Sequence, residues 1–136
     1  MKSRNFLLVA LFVAVMLSNL NAQSNRSSTD VMVRQSDGSY VVNTTTLAKD
    51  VIGFRGNTPL KLYIKDNKII KVEPLPNHET PSFFDKVKKG LLSKWCGMKV
   101  SKVSATEMDG VTGATFSSKA VKENVKRGAK YYMKHK

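Results

Sequence analysis

Apolar and polar positions alternate most regularly at Leu60 to Lys65, where Leu60, Leu62 and Ile64 interleave with Lys61, Tyr63 and Lys65. A period of two marks a strand with one buried face. Asp66-Asn67 supplies turn chemistry, and IIKVEPL returns the chain, so this stretch predicts a β-hairpin. An earlier hairpin is predicted from VMVRQ and YVVNTT, divided by Ser36-Asp37-Gly38-Ser39. Between the hairpins lies VIGFRGNTPL, Val51 to Leu60. There Gly53 and Gly56 bracket Phe54-Arg55 and predict a strand that bends or admits another group to its backbone.

The period then lengthens. Phe84, Val87, Leu91 and Trp95 share one helical face, with Lys86, Lys88, Lys89 and Lys94 on the others. Thr80 is the expected N-cap and Pro81 the first helical residue, where its missing N–H costs nothing. Gly97 is the expected stop. Met98 to Ser104 predicts a further short strand. From Ser117 a second amphipathic helix is expected, its stripe formed by Val121, Val125, Ala129 and Met133. Two helices among several strands predict an α+β domain with a small antiparallel or mixed sheet.

The first residues follow a different pattern. Lys2 and Arg4 precede an unbroken apolar run, Phe6 to Leu17, which is shorter than the roughly 20 residues a bilayer-spanning helix needs. The pattern predicts a secretory signal over residues 1–22, cleaved after Ala22, with a retained anchor as the alternative. Residues 23–29 are a polar lead-in, and residues 30–136 have the length of one domain. The expected location is outside the cytoplasm, periplasmic or at the cell surface. Cys96 is the single cysteine, so no internal disulfide forms, and it is expected as a small buried hydrophobe.

The formal net charge is +13, which loss of Lys2 and Arg4 with the leader lowers to +11. Such a field favours anionic partners or membrane surfaces. Nucleic acid is not an expected partner, because the aromatics fall at core-type positions and do not interleave with the lysines. With two histidines, no CxxC, no P-loop and no dinucleotide fingerprint, the sequence offers no metal centre and no nucleotide motif.

The remaining chemistry is concentrated in DGVTGATFSSKAV, Asp109 to Val121. Asp-Gly turns the chain. Gly113 and Ala114 keep the backbone narrow beneath any large group. Thr115 carries a hydroxyl on an expected exposed turn, and Ser117 or Ser118 caps the helix that follows. An anion at Thr115 would face that helix N-terminus, where amide donors and the dipole favour negative charge. On the residues alone two readings stay open, a phosphate-bearing site and an ordinary capped helix.

DGVTGAT resembles the flavinylation motif of the FMN-binding domain family, Asp-Gly-x-Ser/Thr-Gly-Ala-Thr. Asp109, Gly110, Thr112, Gly113, Ala114 and Thr115 match its specified positions. The family includes the C subunit of Na⁺-translocating NADH:quinone reductase and the G subunit of the Rnf complex. The resemblance implies FMN carried covalently on Thr115 through a phosphoester, installed by an FAD:protein FMN transferase. It extends to the Gly53–Gly56 segment, the Leu60 hairpin and Glu79-Thr80-Pro81, and implies that Phe54, Gly56, Glu79, Thr80, Thr112, Gly113, Ala114 and Ser117 surround the flavin. Where larger members continue with Gly-Leu-Gly, this chain has Ser82-Phe83-Phe84. The implied role is electron transfer with a redox partner, in association with a membrane complex, and not turnover of a small molecule. A non-covalent FMN-binding or sensory module and an extracellular flavin-dependent reductase are the alternatives. From a different class comes a basic surface-adhesion protein in which Thr-Gly-Ala-Thr is only a capped turn.

Overall fold

The computed structural model describes residues 30–136, so the leader and lead-in expected over 1–29 lie outside the described residues. Four strands form an antiparallel meander in the order β1 (Met32–Arg34), β2 (Tyr40–Asn43), β3 (Leu60–Lys65), β4 (Lys68–Pro74). Helix α1 (Pro81–Gly90) and a long helix α2 (Thr115–His135) complete an α+β domain. Short 3₁₀ turns at Leu92–Trp95 and Val100–Lys102 link the two helices.

Both hairpins form where alternation predicts them. Val42 pairs with Leu62 and Val72 with Leu62, which puts three apolar side chains in one row across the sheet. Asp66 and Asn67 both adopt positive φ (52° and 60°), the requirement of a two-residue turn that matches strand twist. An irregularity at Tyr63/Ile64 shifts the register, so that Ile69 and Val72, three residues apart, both face inward. On the outer face the Tyr63 hydroxyl donates to Glu73 across the pair at 2.6 Å.

Helix α2 covers the inner face through Val121, Val125, Ala129 and Tyr132. Its closest approach is at Gly128, where a Cβ would stand 2.5 Å from Leu62 Cδ1. The expected stripe is corrected at its end. Met133 is exposed and Tyr132 takes the buried place, because its ring packs edge-on against Tyr40 (5.3 Å between centroids) and its hydroxyl donates to Asn67.

Four further expectations change. The first helix ends at Gly90, well before Gly97: glycine is a poor helix former, Leu91 leaves helical geometry at φ −128°, and a 3₁₀ turn then buries Leu92 and Trp95. Cys96 is exposed, since Trp95 takes the core and the extended residue after it points out. Met98 to Ser104 pairs with β4 only at the Lys68–Lys99 bridge and then winds into a 3₁₀ turn. A period of three is what buries both Val100 and Val103. Finally, Val51 to Leu60 is no regular strand before Leu60. Its backbone groups are taken by side chains: Asn57 Nδ2 donates to the carbonyls of Lys49 (2.8 Å) and Val51 (3.0 Å), and the amides of residues 54–56 go to a carboxylate.

Candidate functional site

That carboxylate is Glu79, only 6% exposed. Its Oε1 accepts the amide N–H of Arg55 (2.8 Å) and Gly56 (3.2 Å), and its Oε2 that of Phe54 (3.2 Å). Three successive amides turned on one anion form a nest, here filled from within the chain. The Ser117 hydroxyl, in the first turn of α2, donates to the same Oε2. Glu79 thus joins the Gly53–Gly56 loop to the start of α2. The loop admits it because residue 53 is glycine: a Cβ there would lie 2.7 Å from Oε1. Burial by itself pushes the Glu79 carboxyl up. The bonds from Ser117 and from the amides of Arg55, Phe54 and Gly56 outweigh it and hold the group below its ordinary range.

The Thr-Gly-Ala-Thr segment lies against this clamp. The Ala114 amide donates to the Val111 carbonyl at 3.0 Å, closing a turn in which Gly113 takes φ +82° at the third position. That conformation suits glycine and strains other residues. The helix begins at Thr115, two residues earlier than expected, with Ala114 at the N-cap and no side-chain cap. Ser117 and Ser118 are therefore not caps. Both are buried: Ser117 on Glu79 ties the motif to the body of the domain, and Ser118, accepting the Val111 amide at 3.0 Å, ties the turn to the start of the helix. Thr112, Gly113 and Thr115 are exposed, as are Asp109 and Gly110 before them.

An apolar cleft of about 290 Å³ opens beside this turn. Its lining includes Phe54, Phe83, Phe116 and the backbone run Gly113 to Ser117. The three phenylalanines are 57%, 39% and 62% exposed, unusual for large apolar groups. Phe54 and Phe83 meet edge to face at 6.3 Å, and Lys86 Nζ stands 5.5 Å from the Phe83 ring.

Of the residues the sequence nominated, Phe54, Gly113, Ala114, Thr115 and Ser117 line the cleft. Gly56 and Glu79 stand behind the Phe54 loop as nest and anion. Thr80 holds the N-cap position of α1 without a side-chain capping bond, and Thr112 occupies the exposed turn. Sequence reasoning missed Phe83 and Phe116. One signal for Phe83 was present, since a helix that buries Phe84 turns its neighbour outward. Phe116 gave none before the helix start was known.

The family model for the FMN-binding domain matches residues 53–130. The chain belongs to that family. Searches of the curated proteins and of the solved structures returned no match. The matched span begins at Gly53 of the nested loop and encloses Glu79, α1 and the Thr-Gly-Ala-Thr turn, so the cleft falls wholly within it. The protein is thereby a flavin-binding one, and the cleft suits such a group. Three exposed aromatic rings offer a planar heterocycle apolar contact, a glycine at positive φ leaves the turn without a side chain, and an unacidic helix N-terminus favours a phosphate. Among the described residues no helix is long and apolar enough to cross a membrane.

Proposed function

We propose that this chain is an exported electron carrier whose FMN is bonded through its phosphate to Thr115 Oγ. The observation that supports this reading most directly is the position of Thr115. It is an exposed hydroxyl on the first residue of a 21-residue helix, at the wall of an aromatic cleft inside the matched domain. The exposed residues Asp109, Gly110, Thr112 and Gly113 give a second enzyme access to that hydroxyl.

Attachment is the work of an FAD:protein FMN transferase with Mg²⁺. Thr115 Oγ attacks the FMN-side phosphorus of FAD. The P–O bond to the AMP moiety breaks, AMP leaves, and the threonine proton passes to solvent through the transferase. Thr115 is the substrate of that reaction. The bound flavin supplies one- or two-electron transfer when in place. The chain's own contribution is to orient it: Phe54, Phe83 and Phe116 exclude water from the ring, and the helix N-terminus favours the phosphate. The redox partner is expected to be acidic or to sit at an anionic membrane surface, because the chain is strongly basic. Covalent attachment keeps the cofactor on a protein that works outside the cytoplasm.

A non-covalent FMN-binding module is the competing reading, since the aromatic walls do not depend on the Thr115 hydroxyl. Co-expression with and without the transferase separates the two. The expected product gains the mass of one FMN less one water, only with the transferase, and keeps its yellow colour after denaturation. Colour lost on denaturation would select non-covalent binding, and a colourless product would remove flavin from the mature protein.

A further inference from the structure

We infer that Glu79 is a positioning residue for the flavin ring: it fixes the aromatic wall to the attachment helix without facing the cleft. The inference rests on the flavin reading of the site. It goes beyond that reading by assigning the buried carboxylate to the wall and not to the ring.

Phe54 forms one wall of the cleft, and its loop has few ties of its own. Gly53 N–H reaches Gly56 O at 2.7 Å, and Asn57 secures the base of the loop through Lys49 and Val51. At the tip, the amides of Phe54 and Arg55 bond only to Glu79. The other wall and the attachment point belong to the first turn of α2, where Thr115, Phe116 and Ser117 are consecutive. Ser117 bonds to the same carboxylate oxygen as Phe54. One side chain, 25 residues after Phe54 and 38 before Ser117, therefore spans loop and helix.

The charge matters as well as the shape. A carboxylate presents acceptors on both oxygens, and four donors converge on them. A glutamine of equal length presents an NH₂ on one side, which must meet either the Phe54 amide or the Arg55 and Gly56 amides donor to donor. Glu79→Gln thus opens the nest while leaving the volume of the residue unchanged. Ser117→Ala is milder: it leaves the nest filled and removes only the link to α2.

The test is visible circular dichroism of the flavin on transferase-loaded protein, with far-ultraviolet dichroism as the check on folding and redox potentiometry alongside. A ring held rigidly between asymmetric walls gives a strong visible signal. In Glu79→Gln that signal is expected to fall towards that of free FMN and the midpoint potential to shift, with covalent FMN and the helical spectrum retained. Phe54→Leu, which removes the wall and keeps the clamp, is expected to reproduce both changes. Ser117→Ala is expected to lose part of the signal. It is the deciding variant if Glu79→Gln does not fold. An unaltered flavin signal and potential in loaded Glu79→Gln, or in loaded Ser117→Ala where that variant decides, would overturn the inference. A wild-type chain that acquires no FMN would overturn the flavin reading itself, and this inference with it.

Discussion

The first turn of α2 and its middle each place a buried polar side chain against the body of the domain, yet they are held by opposite chemistry. In the middle, Asn124 is the centre of a neutral network. Its Oδ1 accepts from Thr44 Oγ1 at 2.5 Å, and its Nδ2 donates to the Ala120 carbonyl at 2.9 Å and to Thr58 Oγ1 at 3.4 Å. Thr44 Oγ1 in turn accepts the Leu60 amide, so the network ends in the sheet. One turn on, Gly128 lets the helix close against Leu62. At the first turn the centre is an anion, and its partners are a loop tip and a serine beside an open cleft. The buried groups of that network, Asn124, Thr44 and Thr58, do not titrate. The charged region borders a space large enough for a ligand. The contrast teaches how a chain of this size can carry a site: the helix is anchored at its middle by packing, which leaves its N-terminal turn to be specified by chemistry.

The sharpest way to break the comparison is Thr115→Ala. At the first turn a single exposed hydroxyl should decide everything about attachment and almost nothing about folding. Covalent FMN is expected to vanish, read by intact mass, and urea unfolding of the unmodified chain should shift by no more than about 1 kcal/mol, since Thr115 makes no capping bond. Peptide mapping of the wild type should place FMN on the fragment containing Thr115. Modification at Thr112 or Ser117 would move the site. Burial already argues against Ser117, whose hydroxyl is committed to Glu79.

The middle of the helix should give the mirror result. Gly128→Ala gains helix propensity of about 1 kcal/mol. It also forces a methyl within 2.5 Å of Leu62 Cδ1 and 3.1 Å of Thr44 Cγ2. Overpacking of this kind costs about 1–3 kcal/mol, so net destabilisation is expected in urea, with flavin loading unaltered at temperatures where the chain stays folded. A more stable Gly128→Ala would mean that propensity outweighs the close contact, and that the helix is not seated by it.

How much of this was legible beforehand follows the same division. The hairpins and the apolar stripes are local patterns, and Leu60 to Ile64, Phe84, Val87, Val121, Val125 and Ala129 all fall where period two or period four places them. The DGVTGAT string was legible as a motif because its residues are contiguous. The clamp was not, because Glu79 finds its donors 23 to 25 residues earlier and 38 later. No periodicity connects those positions. Sequence patterning also failed where two rules compete. Gly90 stops the first helix although the apolar stripe runs on through Leu91 and Trp95, and Val100 with Val103 turned an expected strand into a 3₁₀ turn. The serines read as caps were better core partners than caps.

A smaller effect is expected at the turn itself. Gly113 sits at φ +82°, and a Cβ there would meet only Lys86 Nζ, at 3.6 Å. Space is therefore not the constraint that the narrow backbone of the sequence suggested; backbone conformation is. Gly113→Ala should cost about 1 kcal/mol and slow attachment by misplacing Thr115. Gly113→Val, β-branched, should slow it further. If Gly113→Val is loaded at the wild-type rate, the turn does not need its left-handed residue.

The smallest effect is the most specific to the contrast between the two regions. Glu79 titrates lower in the folded chain than its ordinary value near 4.5. The folded state thus binds fewer protons at this group than the unfolded state does as pH passes through that range. Its contribution to stability is fully present above the ordinary carboxylate range and is lost as pH falls through the depressed folded value. Acid unfolding of the wild type alone cannot isolate it. Asp37 (bonded by Ser39), Asp50 (by Arg127), Glu73 (by Tyr63) and Asp85 (by Lys88) are held low as well. Two differences do isolate it. The stability lost in Gly128→Ala comes from packing among neutral groups and should be the same at about pH 7 and about pH 3. The stability lost in Glu79→Gln should be largest near neutrality and shrink on acidification, because the wild-type carboxyl is then protonated too. A Glu79→Gln deficit that stays constant across that interval would mean that Glu79 supports the loop by shape alone, and that the first turn of α2 is held in the same way as its middle.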